Sequence, residues 1–282
     1  MNKKKVWFIT GASGGLGRAL AEEVLSFGER VIATARKPEV LRDLIEKYPE
    51  TARAVRLDVT DRANVKEAVG TALEEFGRLD VVVNNAGYGL IGAIEEPSDE
   101  QIRRQFETNV FGVLNVVRET LPVLRGQKSG HIINISSYTG FVAFPSYGYY
   151  SATKFALQGL SDSLAQEVAP LGIRVTIAEP GGMRSGFIDK GVVKPEKNLS
   201  AEYPSTAGFI KLLEEVDGRR LSDPHEIAKI LISAAGSENP PLHLPLGEDS
   251  YDVIENHLAA LAKEISLRRK KGIVAGSENA AD

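Results

Sequence analysis

The chain has no cysteine among its 282 residues. That excludes a disulfide framework, a thiolate metal site and a cysteine nucleophile. Histidine is scarce: His131, His225, His243 and His257 stand far apart, none at ligand spacing such as H-x-x-x-H, so no zinc site is expected. Positive charge has no excess. Lys and Arg total 34 against 38 Asp and Glu, and no basic stripe exists, which argues against nucleic acid as the main partner. No apolar run approaches the ~20 residues that a membrane span needs. The run after Lys3-Lys4-Lys5 is also too short for a secretory signal. Internal repeats are absent. The expectation is a cytoplasmic protein with no membrane partner.

What is present suits a globular protein: 43% of the residues are hydrophobic, enough for a real core. The chain is organised around Lys5 to Gly17, KVWFITGASGGLG. Val6, Trp7, Phe8 and Ile9 form a short apolar run of β-formers, read as a buried strand. A glycine turn and a helical stretch from Arg18 to Phe27 follow. Strand, glycine turn and helix together aim free backbone N–H groups and a positive dipole end at a phosphate. Glycine is required where the turn bends sharply and a Cβ would block a pyrophosphate.

Further apolar runs at Arg30–Ala35, Ala52–Leu57, Leu79–Val83, His131–Ser136, Ile173–Ala178 and Leu242–Gly247 alternate with helical periodicity. The expected fold is α/β: a Rossmann-type doubly wound parallel sheet of about seven strands, with helices on both faces, in one domain over 1–282. About 186–221 reads as a substrate lid, with a helical patch at Phe209, Leu212, Leu213 and Val216. Residues from about 270 to 282 read as a loose tail.

The strand ends carry the candidate chemistry, as open α/β sheets keep their sites there. After Arg30–Ala35, the place where an acid often binds a ribose 2′-hydroxyl holds Ala35 and Arg36. A guanidinium there holds a 2′-phosphate by charge-assisted bonds, and Ser13 can add a second bond, so NADP(H) is preferred and NAD(H) possible. The alternative is a solvated loop arginine. Asp58 ends the third strand, either as a helix cap shared with Thr60 or Asp61 or as a cofactor contact. Asn84-Asn85-Ala86-Gly87 closes the fourth, and Asn109 sits inside a long helical region from Asp99 to Leu124, where asparagine is a poor residue.

Of the eight tyrosines, Tyr150 alone has a lysine at i+4, Lys154, so the two share one helix face. A nearby ammonium and the helix N-terminus are expected to lower the phenol pKa. The phenol can then trade a proton with a carbonyl oxygen, with Ser137 as a second donor.

Taken together, T-G-x-x-x-G-x-G, Asp58, N-N-A-G, Asn109, Ser137, Y-x-x-x-K and Pro180-Gly181 resemble the short-chain dehydrogenase/reductase family. The resemblance covers most of the chain to about Ser185. It implies hydride transfer between a nicotinamide dinucleotide and a carbonyl or alcohol, with Asn109, Ser137, Tyr150 and Lys154 catalytic. Asn109 would hold a water in a proton relay, and Lys154 the nicotinamide ribose. Cofactor contacts are implied at Gly11, Ser13, Gly15, Leu16, Gly17, Arg36, Asp58, Val59, Asn85, Ala86, Gly87, Pro180, Gly181, Met183 and Ser185. Met183 and Ser185 stand where the family more often has a branched aliphatic residue and threonine.

Aromatic and apolar residues (Tyr88, Gly89, Phe141, Phe144, Tyr147, Met183, Phe187) are expected to wall a pocket for a small hydrophobic carbonyl or alcohol substrate. A homodimer or homotetramer is implied through the helices at Asp99 and Tyr150. Two other readings remain: a non-catalytic dinucleotide-binding regulator on the same fold, and a nucleotide-sugar epimerase or dehydratase, which would need a larger C-terminal substrate domain.

Overall fold

Most strands of the sheet are buried on both sides, because helices cover both faces. The computed structural model describes residues 4–187, 191–199, 201–215 and 221–270. The strands are β1 (Val6–Ile9), β2 (Arg30–Ala35), β3 (Ala52–Arg56), β4 (Val81–Asn84), β6 (Gly130–Ile135), β7 (Ile173–Pro180) and β9 (His243–Leu246). They form one parallel sheet in the order β3-β2-β1-β4-β6-β7-β9. The winding reverses between β1 and β4, which opens a crevice at the strand C-termini. The seven expected strands are all there. The expected 270–282 tail lies outside the described residues from 271 on.

The pleat of β1 divides the core. Trp7 and Ile9 join a cluster with Leu20, Val24, Leu41, Ile227 and Leu231. That cluster is roofed by α1 (Gly15–Ser26), α2 (Arg42–Lys47) and α8 (Pro224–Gly236). Val6 and Phe8 join Val65, Val69, Val117, Leu157 and Val168 on the other face. There α3 (Arg62–Phe76), α5 (Gly112–Gln127) and α6 (Gly148–Val168) pack. Each such apolar side chain contributes about 1.5–3 kcal/mol when fully buried.

The long helical region from Asp99 is three pieces: α4 (Asp99–Phe106), one π turn (Glu107–Phe111) and α5. Ser98 caps α4 in a reciprocal box with Gln101. Asn109 lies in the π turn and is buried rather than facing solvent.

A second sheet was not foreseen. β5 (Gly89–Leu90) pairs in parallel with β8 (Val192–Val193), and strands of two residues leave no periodic signal. The start of the expected lid is therefore stitched down. Buried Glu96 accepts hydrogen bonds from Ala93 N at 2.5 Å and Leu199 N at 2.6 Å, and Gln101 donates to the Lys194 carbonyl. Helix α7 (Pro204–Glu214) then crosses over the site; Val216, the last residue of the expected patch, lies outside the described residues. The chain closes with α9 (Glu248–Lys270).

Candidate active site

Helix α1 begins inside the glycine turn, three residues earlier than its apolar periodicity suggested, and no side chain caps its first amides. Those amides are left to an anion. Gly11 has φ +67°, and a Cβ there would lie 2.9 Å from the Ala86 Cα, so the turn admits no larger residue. Thr10 ties the turn to the β4 exit: its Oγ1 accepts from Asn85 N at 2.9 Å and Ala86 N at 3.0 Å. Asn85 Nδ2 returns bonds to the carbonyls of Thr10 and Gly11. Thr10 was part of the motif but was not read as a working residue; the signal available was its place immediately before the first glycine.

Of the residues given a site role from sequence, all but Gly17, Gly89, Asn109, Phe141 and Phe144 line a single crevice of about 1430 Å³. That exceeds the roughly 300–1,000 Å³ of a single small-ligand pocket and suits a dinucleotide plus a substrate. Gly17 instead serves packing: a Cβ there would meet Asn85 Nδ2 and stand 2.5 Å from the Gly11 carbonyl oxygen. Asn109 sits behind the wall, where its Nδ2 donates to the Tyr88 carbonyl at 2.8 Å and to Thr153 Oγ1 at 3.2 Å. Phe144 stands one layer back, stacked on Phe209 with ring centroids 5.6 Å apart. Phe141 turns to His243 instead, and Gly89 lies beneath the Phe187 ring.

At the end of the crevice beside β2 and β3, the cap of α3 is Asp61, which accepts from Ala63 N and Asn64 N. This leaves Asp58 to face the crevice. Burial works against its charge, but hydrogen bonds from Thr60 Oγ1 and N, with Arg36 and Arg56 nearby, hold it below the usual carboxylate range. Arg36 is exposed at the end of β2 and lines the same end. At the other end, Asp249 of α9 accepts from Gly182 N at 2.7 Å and packs over Gly181. No spacing could have disclosed this contact, which spans 67 residues.

Tyr150 and Lys154 rise from the first turns of α6 and meet Ser137, at the end of β6, in the crevice. Lys154 Nζ donates to the Ile135 carbonyl at 2.7 Å and lies 5.5 Å from the Tyr150 ring centroid. Burial pushes the lysine down to about 8. Burial pushes the Tyr150 phenol well above the usual tyrosine range, and Tyr147 and Tyr138 add to this, while a hydrogen bond with Ser137 opposes it. The expected acidification of the phenol by Lys154 is thus not what this geometry produces; desolvation dominates. Both groups hold their protons near neutral pH, the phenol neutral and the amine largely charged. Tyr147 and Phe187 flank the Tyr150 ring at 5.7 Å each. Phe209, Ile210 and Leu213 of α7 pack over this cluster.

The model of the family described as short chain dehydrogenase matches residues 5–194. The chain belongs to the short-chain dehydrogenase family. Among curated relatives, oxidoreductase BOA17 of Botryotinia fuckeliana is 44% identical over 250 residues, covering 88% of this chain and 90% of that one. The 3-ketodihydrosphingosine reductase of Bacteroides thetaiotaomicron is 36% identical over 86% and 88%. Among solved structures, a short-chain dehydrogenase from Streptomyces avermitilis superposes with a TM-score of 0.89 at 39% identity, over 98% of this chain and 99% of that one. A Burkholderia phymatum member in complex with NAD gives 0.81 at 27% identity over 94% and 95%. ElxO with NADP bound gives 0.74 at 27% identity over 89% and 100%.

This short-chain dehydrogenase is therefore an oxidoreductase, and the two neighbours just named hold a nicotinamide dinucleotide, NAD in one and NADP in the other. The chain's own cradle fits such a dinucleotide: uncapped α1 amides, a glycine turn with no room for a Cβ at Gly11 or Gly17, and a crevice of about 1430 Å³.

Proposed function

We propose that this dehydrogenase reduces an uncharged, apolar ketone or aldehyde to the alcohol, or runs the reverse oxidation, with NADP(H) preferred. One observation carries the reading: the Tyr150 phenol, protonated at neutral pH, is set between the Ser137 hydroxyl and the Lys154 ammonium at the strand ends. When bound, the nicotinamide supplies the hydride. The chain's part is to orient the carbonyl and give its oxygen a proton. Ser137 donates a hydrogen bond to that oxygen, Tyr150 delivers the proton, and Lys154 steadies the phenolate left behind.

The preference for NADP(H) rests on Arg36, a cation at the end of β2 where an acid would disfavour a 2′-phosphate. The preference for an apolar substrate rests on the wall of Tyr147, Phe187, Leu213 and Met183. A ketone reductase among the relatives supports the reaction class. The protein is proposed to act in the cytoplasm.

A ketone panel followed by loss of reduced-nicotinamide absorbance tests this reading. Turnover of apolar ketones, faster with NADPH than with NADH, is expected. Turnover confined to charged substrates, or none across the panel in either direction, would overturn it.

A further inference from the structure

Among the described residues, the 23-residue helix α9 carries an apolar stripe that is largely exposed. Tyr251, Ile254, Leu258, Leu261 and Ile265 recur at spacings of three and four and so share one face. At its near end the stripe is used. Ile254 is buried, and Ser250 donates to the Glu179 carbonyl. Beyond that point the helix outruns the body. From Leu258 to Arg269 every side chain is exposed, with Leu258 at 47%, Leu261 at 45% and Ile265 at 59%. A free helix end of this length is marginal in water, so its apolar face calls for a partner.

Charge along the same helix says which partner. Glu248, Asp249, Asp252 and Glu255 occupy the first part, and Lys263, Arg268 and Arg269 the last, where Glu264 lies 3.9 Å from Arg268. Two such helices side by side in parallel would set like charge against like. Set antiparallel, each acidic part faces the other's basic part, and the helix dipoles oppose favourably. We propose that α9 is an interface with a second copy of this chain, packed antiparallel about a twofold axis near Leu261. The contact is isologous and closes on itself, as twofold dimers do. Asp252 and Glu255 of one copy then approach Arg268 and Arg269 of the other. A lipid surface is a poorer fit, because anionic headgroups would repel the acidic part.

The test is the mass in solution, by light scattering after gel filtration, of the full chain and three variants. Leu261→Glu with Ile265→Glu is expected to halve the wild-type mass. So is Asp252→Lys with Glu255→Lys; adding Arg268→Glu and Arg269→Glu to that pair is expected to restore it. Because the chain has no cysteine, Ala262→Cys gives one thiol, expected to cross-link copies in mild oxidant. Unchanged thermal midpoints would show that the variants fold. A wild-type monomer, a mass indifferent to these changes, no rescue by the combined charge reversal, or a monomer that sediments with anionic vesicles would each overturn the proposal. Ketone turnover is scored separately, so failure of the interface and failure of the proposed reaction remain distinguishable.

Discussion

Lys154 gives a hydrogen bond to the Ile135 carbonyl and only its field to Tyr150, whose ring centroid lies 5.5 Å from Nζ. The lysine is therefore anchored to the sheet rather than to the phenol. The sheet sets the distance at which its charge acts, and that charge is lost as pH rises through about 8.

A pH dependence follows. Proton donation by Tyr150 leaves a phenolate, which the protonated lysine stabilises and the neutral amine does not. In the reductive direction, kcat/KM, which reports the free enzyme, is expected to be flat below about pH 8 and to fall above it. Lys154→Met should lower the whole profile and remove that limb. Tyr150→Phe should cut reduction by about 10²–10⁴-fold, the usual worth of a general acid, with NADPH binding retained. A Tyr150→Phe enzyme turning over at wild-type rate would refute the acid assignment.

Arg36 lines the crevice at the end of β2, where the proposed function places the 2′-phosphate. A hydrogen bond to a charged group is worth about 1.5–3 kcal/mol, so Arg36→Ala should weaken NADPH binding by roughly ten- to a hundredfold. NADH binding should not change. Fluorescence titration of the two reduced cofactors checks it, and equal losses would remove the argument for a 2′-phosphate.

Gly17 has its space taken by the Gly11 carbonyl and the Asn85 amide. Backbone cannot yield as a flexible side chain does, so Gly17→Ala should cost about 1–3 kcal/mol of stability and distort the glycine turn. Thermal unfolding and cofactor titration should both report a loss. By contrast, Gly14→Ala meets no protein atom within 4 Å and should leave the thermal midpoint nearly unchanged.

His131 predicts acid sensitivity. It is buried, its Nε2 lies 2.9 Å from Thr176 Oγ1, and Thr176 in turn donates to the Pro241 carbonyl. Nε2 must therefore carry the proton, and Nδ1 is left buried with no partner. Burial lowers the imidazole from 6.5 to about 4. Between those values the unfolded chain binds a proton that the folded chain refuses, so stability declines as pH falls through this window. At 1.36 kcal/mol per unit, the full loss is roughly 3 kcal/mol. Urea midpoints at pH 7 and pH 5 should separate for the wild type and draw closer for His131→Gln.

The readable parts of this chain were those where one stretch of sequence makes one local object. The glycine turn, the Tyr150–Lys154 helix face and the apolar strands are of that kind, and they stand where expected. Ser137 was legible because strand ends are where open sheets keep their chemistry. Phe144 and Phe141 were not, since an aromatic residue in a loop carries no signal of which neighbour its ring will meet. Asp249 and Glu96 were invisible for a different reason. Each holds a loop far along the chain, Gly182 and Leu199 respectively, and an isolated acid on a sequence looks like any solvated one. The phenol misled in sign, because periodicity shows that two side chains share a face and says nothing of how much water the fold removes from them.

The β5–β8 pair and the Glu96 staple fasten the roof of the pocket at its edge, on contacts separate from those that hold Ser137, Tyr150 and Lys154. Recognition and reactivity thus hang from different anchors. Evolution, or an engineer, can retailor α7 and the segment leading to it for a new molecule and leave the backbone anchor of Lys154 in place, while the α7 side chains still govern how much water reaches Tyr150.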